Sequence, residues 1–80
     1  MEYTIDVRVS LKKGALDAEG ETVQKSLALL GYKVRKVDTI KAYRVRVEAG
    51  SKEEAMRQVE DASRRLLANP VIQDFSLAVV

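Results

Sequence analysis

The chain has 80 residues, 46% hydrophobic and 32% charged, with 14 basic against 12 acidic side chains and a formal net charge of +2. That length holds one core, the composition is that of a folded chain, and the interspersed charges make no case for nucleic acid or membrane. With neither cysteine nor histidine, disulfides and the common zinc sites are excluded, so oligomerisation is the remaining support for a core expected to supply only about 3–5 kcal/mol.

From Tyr3 to Leu11 the odd positions are Tyr3, Ile5, Val7, Val9 and Leu11, and the even ones are Thr4, Asp6, Arg8 and Ser10. Such alternation predicts a strand with one buried and one wet face. Lys12-Lys13-Gly14 breaks it. Asp17 is placed to cap a helix, and Val23, Leu27 and Leu30 follow at i, i+4 and i+7 as one apolar stripe. Gly31 stands where a helix commonly ends in a left-handed residue, so a helix is predicted over Asp17–Leu30.

Lys33–Ile40 reads as a second, weaker strand. Val34, Val37 and Ile40 do not share a parity, which suggests a bulge or twist. Tyr43, Val45, Val47 and Ala49 restore the alternation, set against Arg44, Arg46 and Glu48. After Gly50, Ser51 and Glu54 have the spacing of a reciprocal capping box. Ala55, Val59, Ala62 and Leu66 fall on one face of a second helix, with Leu67 beside them. Pro70, the only proline, disfavours helical geometry at Asn69, so this helix must close near Ala68. Phe75, Leu77 and Val79 alternate in a last strand.

The order strand, helix, strand, strand, helix, strand predicts an α+β two-layer sandwich of β-α-β-β-α-β, ferredoxin-like type. A four-stranded antiparallel sheet would carry two helices on one face, all in one domain over residues 1–80. No apolar run approaches the roughly 18–20 residues of a membrane span, and the N-terminus reads as a strand rather than a signal peptide. A cytoplasmic protein is expected.

The open sheet face would carry Asp6, Arg8, Arg44, Arg46 and Glu48. Opposite charges on adjacent strands can pair there, giving either a self-compensating solvated face or a partner surface. An RNA-binding module of this topology stacks bases on aromatic rings of that face. Tyr3 and Tyr43 share the parity of Ile5 and Val45 and point to the core instead.

Catalysis has no visible apparatus. The usual proton shuttle and the best side-chain nucleophile are missing, and no paired carboxylates stand out. Asp17 and Glu19 suit a first helical turn, where acids complement the dipole. Gly14, Gly20 and Gly31 are too scattered for a phosphate loop. The glycine-rich loop of acylphosphatases is not found at Leu11–Gly20. No metal site and no cofactor of the chain's own are expected.

Two blocks carry a likeness to a known family. The first pairs Leu11-Lys12 with Leu16-Asp17, then Gly20, Val23 and Leu27, then Leu30-Gly31. The second is Leu66-Leu67-Ala68-Asn69-Pro70-Val71-Ile72 followed by Asp74-Phe75. Together they resemble PurS, the small subunit of formylglycinamide ribonucleotide amidotransferase (phosphoribosylformylglycinamidine synthase), across nearly the whole chain. Where that family tends to read Leu-Asp-Pro-Gln-Gly, this chain has Leu16-Asp17-Ala18-Glu19-Gly20. Its Val-Arg-x-Gly-Lys stretch appears as Val37-Asp38-Thr39-Ile40-Lys41.

The resemblance implies a non-catalytic assembly subunit in de novo purine biosynthesis. The full enzyme converts formylglycinamide ribonucleotide, ATP and glutamine to formylglycinamidine ribonucleotide, ADP, phosphate and glutamate. A homodimer, with pairing into a homotetramer left open, would bridge a glutaminase subunit (PurQ-like) and a large synthetase subunit (PurL-like) and assist ammonia transfer. ATP and Mg²⁺ would bind at the synthetase. Lys12, Lys13, Lys41 and Asp74 are then candidate docking residues, and Asp17, Gly20, Asn69 and Pro70 a structural signature. Two other classes stay open: a small ligand-sensing regulatory domain of the same topology, and an RNA-binding module.

Overall fold

The alternating segments pair as their parity requires. In the computed structural model, which describes residues 1–80, β1 (Glu2–Leu11) is flanked by β2 (Ile40–Glu48) and β3 (Gln73–Val79). The sheet is antiparallel, in the order β2-β1-β3. Ile5 faces Val45 on one side and Val79 on the other, and Val7 faces Tyr43 and Leu77, so the odd residues of all three strands line one face. The helix α2 (Lys52–Ala62) packs across that face over β1 and β2. Ile5, Val7 and Val9 are buried beneath it with Ala55, Val59 and Ala68, while Tyr3, Tyr43, Val45, Val47, Phe75 and Leu77 pack around them half-buried.

Local signals act at each helix end. Asp17 Oδ1 accepts from the Gly20 amide at 2.9 Å at the start of α1 (Ala18–Leu29). At the other end the Gly31 amide donates to Ala28 O (3.0 Å) and Tyr32 to Leu27 O (3.1 Å), with Gly31 at φ +96°. That is a Schellman closure, which needs a left-handed residue that glycine adopts without a Cβ penalty. At α2 the expected reciprocal capping box forms by half. Ser51 Oγ accepts from Glu54 N at 3.2 Å, but the Glu54 carboxylate turns forward to Gln58 Nε2 at 3.2 Å. α2 then widens into one π-helical turn, Ser63–Leu67, in which Ala68 N reaches back to Ser63 O at 2.9 Å. The buried Ser63 hydroxyl donates to Val59 O at 2.7 Å. Ala68 is extended (φ −124°, ψ 141°), so the helix stops where Pro70 demands.

The expected four-stranded sheet is not what forms. The sheet has three strands, because Lys33–Thr39 is not a strand and regular pairing begins only at Ile40. The mixed parity of Val34, Val37 and Ile40 offers no apolar face to lay on a sheet. The backbone donors there go to side chains of the α1 end: Thr39 N to Asp17 Oδ2 (2.7 Å) and Val37 N to Gln24 Oε1 (3.2 Å). Nor do both helices cover the sheet. α1 and the segment bound to it project from the end of the sheet as an arm, giving a molecule 51 Å long. Its radius of gyration is 16.0 Å, against about 11.6 Å for a compact chain of this length. Of α1 only Gly20 is buried, and the stripe of Val23, Leu27 and Leu30 has no sheet beneath it.

Candidate functional site

Three of the four candidate docking residues gather where β1 leaves the sheet and β3 enters it. Ser10 pairs with Asp74 and Leu11 with Gln73, and the Lys12 amide closes the ladder on Ile72 O at 2.8 Å. This register brings Lys12 Nζ to 3.7 Å from Asp74 Oδ1, an exposed ion pair. Such a pair is worth little to stability and is free to exchange for a partner's charges. Lys13 follows in the exposed turn before Gly14, whose φ of +89° makes the turn sharp. Lys41 lies on the neighbouring strand opposite Val9, on the side of the sheet that α2 covers further along.

Asp17, Gly20 and the 33–39 segment form one unit at the root of the arm. The Asp17 carboxylate joins the Gly20 and Thr39 amides, and these two bonds, Thr39's the stronger, hold its pKa below the ordinary aspartate value. Gly20 is packed so closely that a Cβ there would lie 2.5 Å from the Val37 carbonyl oxygen. Its role is therefore close approach. Asp17 does more than the cap read from the sequence, because its second oxygen ties the helix to the chain 22 residues on.

Asn69 and Pro70 shape the turn between the π-helical turn and β3. Asn69 Oδ1 accepts from Val71 N at 3.0 Å, and Asn69 O accepts from Gln73 N at 2.7 Å. Gln73, not singled out from the sequence, returns its side-chain oxygen to Asn69 N at 2.7 Å. A polar residue four positions past the helix stop was the only signal available. Beside them Arg64 stands over the Phe75 ring, 5.9 Å from its centroid.

Between the Lys12–Asp17 loop, α1 and residues 35–40 runs an open cleft of about 1120 Å³. Lys13, Lys25, Arg35 and Lys36 line it with Glu21 and Asp38, and Lys36 pairs with Asp38 at 3.4 Å. No three acidic side chains converge to hold a metal ion, and no buried side-chain polar atom lacks a partner. The site is a charged, solvent-facing surface.

The open sheet face is self-compensated in its middle. Arg44 meets Asp6 through Nε–Oδ1 (2.7 Å) and Nη2–Oδ2 (2.9 Å). The Arg44 hydrogen bond lowers the Asp6 pKa, and the same bond raises that of Arg44. With Tyr3 and Tyr43 against the core, that face has neither a stacking platform nor a free Arg44, which weighs against the RNA-binding reading.

Residues 4–80 match the PurS family, described as phosphoribosylformylglycinamidine (FGAM) synthase. The chain is 51% identical over 73 residues to the PurS subunit of phosphoribosylformylglycinamidine synthase of Archaeoglobus fulgidus, covering 90% of this chain and 91% of that one. The crystal structure of Methanocaldococcus jannaschii PurS, one of the subunits of formylglycinamide ribonucleotide amidotransferase in the purine biosynthetic pathway, is similar with a TM-score of 0.85. Its identity is 38%, over 98% of this chain and 95% of that one. A chain in the structure of PurLQS from Thermotoga maritima gives a TM-score of 0.92 at 28% identity, over 100% of this chain and 99% of that one. The extended three-stranded fold is thus shared by solved relatives.

Proposed function

The chain belongs to the PurS family, and on that premise we propose that it serves as the small subunit of FGAM synthase in purine biosynthesis. It assembles with the glutaminase and the ATP-dependent synthetase subunits, bridges them as a homodimer and assists the passage of ammonia. The observation that carries this reading is the full-length likeness to a chain of a PurLQS assembly. Exposed charges such as the Lys12–Asp74 pair at the sheet end support this reading, since they are available to dock a partner. Free ammonia is protonated or lost to bulk water, so a glutaminase and its synthetase must be held together and sealed. A small adaptor does this without catalytic residues of its own. ATP and Mg²⁺ belong to the synthetase, and the cytoplasm is the compartment that fits the pathway. No helix of the chain is long and apolar enough to cross a membrane.

Size-exclusion chromatography with light scattering tests this, using the chain alone and then with the glutaminase and synthetase subunits of its source, ATP–Mg²⁺ and glutamine. The expected result is a stable complex with the chain as a dimer and glutamine-dependent amidation only in its presence. The Lys12→Glu, Lys13→Glu double variant should dimerise normally and lose the complex. A chain that joins neither subunit, with amidation unchanged by its omission, refutes the reading.

A further inference from the structure

We propose that the cleft between the Lys12–Asp17 loop, α1 and residues 35–40 is a receptor for an extended acidic segment of a larger subunit of the complex. This rests on the adaptor reading above and deepens it by naming the chemistry of what docks there. Folding concentrates the surplus charge at this place. Lys12, Lys13, Lys25, Arg35 and Lys36 line the cleft against only Asp17, Glu21 and Asp38. The chain's whole excess is +2, so the cleft holds all of it, and nine basic and nine acidic side chains balance on the rest of the molecule.

Several of these cations are free. Asp17 gives both oxygens to the Gly20 and Thr39 amides, Asp38 meets Lys36 at 3.4 Å, and Lys12 meets Asp74 on β3. Lys13, Lys25 and Arg35 are exposed and have no acidic group within ion-pair reach. Glu21 is the one carboxylate of the cleft left to oppose them. The Lys13 and Gly14 amides also lack a partner within the chain, in a turn closed by the Ala15 amide on Lys12 O at 3.0 Å. Nothing lies within 4 Å of where a Gly14 Cβ would stand, so an incoming backbone can come close to that turn.

The lining decides what kind of anion fits. Only five of its 17 residues are apolar and none is aromatic, whereas small-molecule sites are mostly apolar and nucleobases need a ring to stack on. A peptide rich in Asp and Glu needs neither. Its carboxylates pair with the lysine ammoniums and the Arg35 fork, and its carbonyls accept from the free turn amides. Glu21 and Asp38 repel an unbroken run of anions, which selects a segment whose acids are spaced.

The test is zero-length carbodiimide cross-linking of the reconstituted wild-type complex, which joins lysine amines to carboxylates in contact, followed by peptide mapping. The expected result is Lys13, Lys25 or Lys36 linked to closely spaced acids in one stretch of one larger subunit. The Lys25→Glu, Arg35→Glu double variant should keep its oligomeric state, weaken the complex by about tenfold and flatten its salt dependence. Cleft lysines that stay unlinked in a formed complex, or link only to a second copy of this chain or to acids scattered over a folded surface, overturn the receptor and leave the adaptor reading standing. So does a double variant that binds as tightly as wild type. Failure of any complex to form overturns the adaptor reading itself, and the receptor with it.

Discussion

Replacing Gly20 with alanine puts two effects of known size in opposition. On an exposed helix, Gly→Ala gains about 0.8–1 kcal/mol from propensity. Here the added Cβ would meet the Asp17 carboxylate and lie 2.5 Å from the Val37 carbonyl oxygen. The carboxylate can rotate away only by leaving the Gly20 and Thr39 amides, and the carbonyl, being backbone, can yield only if the 33–39 segment shifts. Overpacking of this kind costs about 1–3 kcal/mol, and with both a carboxylate and a backbone carbonyl in the way the cost falls at the upper end, so the clash should outweigh the propensity gain by about 2 kcal/mol. In a domain of this size that lowers Tm by about 8–16 °C. Thermal unfolding followed by circular dichroism, at one fixed chain concentration, reads the change. Ser26→Ala, exposed on the same helix, serves as the comparator and should be neutral or slightly stabilising. Amide exchange should quicken at Val37 and Thr39 in the glycine variant alone. A Gly20→Ala protein as stable as the wild type, or more so, would refute the close seating of α1 on the segment after it.

Val7→Ala removes two methyl groups from a fully buried position under α2. At about 0.8 kcal/mol per buried carbon plus a cavity term, it should cost about 2–3 kcal/mol in denaturant unfolding; a loss under 0.5 kcal/mol would mean that β1 is not the centre of the core. Asp17→Asn tests the root of the arm through pH. The folded-state pKa of Asp17 is lowered by the Thr39 and Gly20 amides, so its stabilisation is fully present above the unfolded value of about 3.9 and fades as pH falls through the lower folded one. The variant should therefore be less stable than wild type at neutral pH and approach it under acid. An equal gap at pH 7 and pH 2.5 would show that the carboxylate charge is irrelevant.

The strands of the sheet were legible because each alternates with one apolar parity, and their mutual register follows from burying those parities together. The helix ends were legible from Asp17, Gly31, Ser51 and Pro70, each of which acts locally through the backbone beside it. The missing strand was not. Lys33–Thr39 has β-branched residues, which suit a strand, but its fate is decided by Asp17 and Gln24, side chains on a different element. The stripe of Val23, Leu27 and Leu30 was read rightly as apolar and wrongly as part of the chain's own core. Periodicity says that a face is to be buried and is silent about which molecule buries it. At the site, the Lys12–Asp74 pair depends on strand register, which charge spacing along the chain does not reveal.

Only 9 of 80 residues are buried in the isolated chain, a small core for a chain of this length. In the proposed homodimer unfolding would be linked to dissociation, and stability would rise with chain concentration. The placement of the charged residues gives this linkage a further consequence. Lys12 and Lys13 lie at the root of the arm, and Lys25, Arg35 and Lys36 line the cleft that the arm itself walls. The charges proposed above to face the larger subunits are therefore carried on the arm and at its root. A chain that has not dimerised would present these charges on an unsupported arm, and docking it would require ordering that arm at a cost to affinity. Dimerisation meets that cost beforehand, so a lone chain should compete poorly with the dimer for the larger subunits.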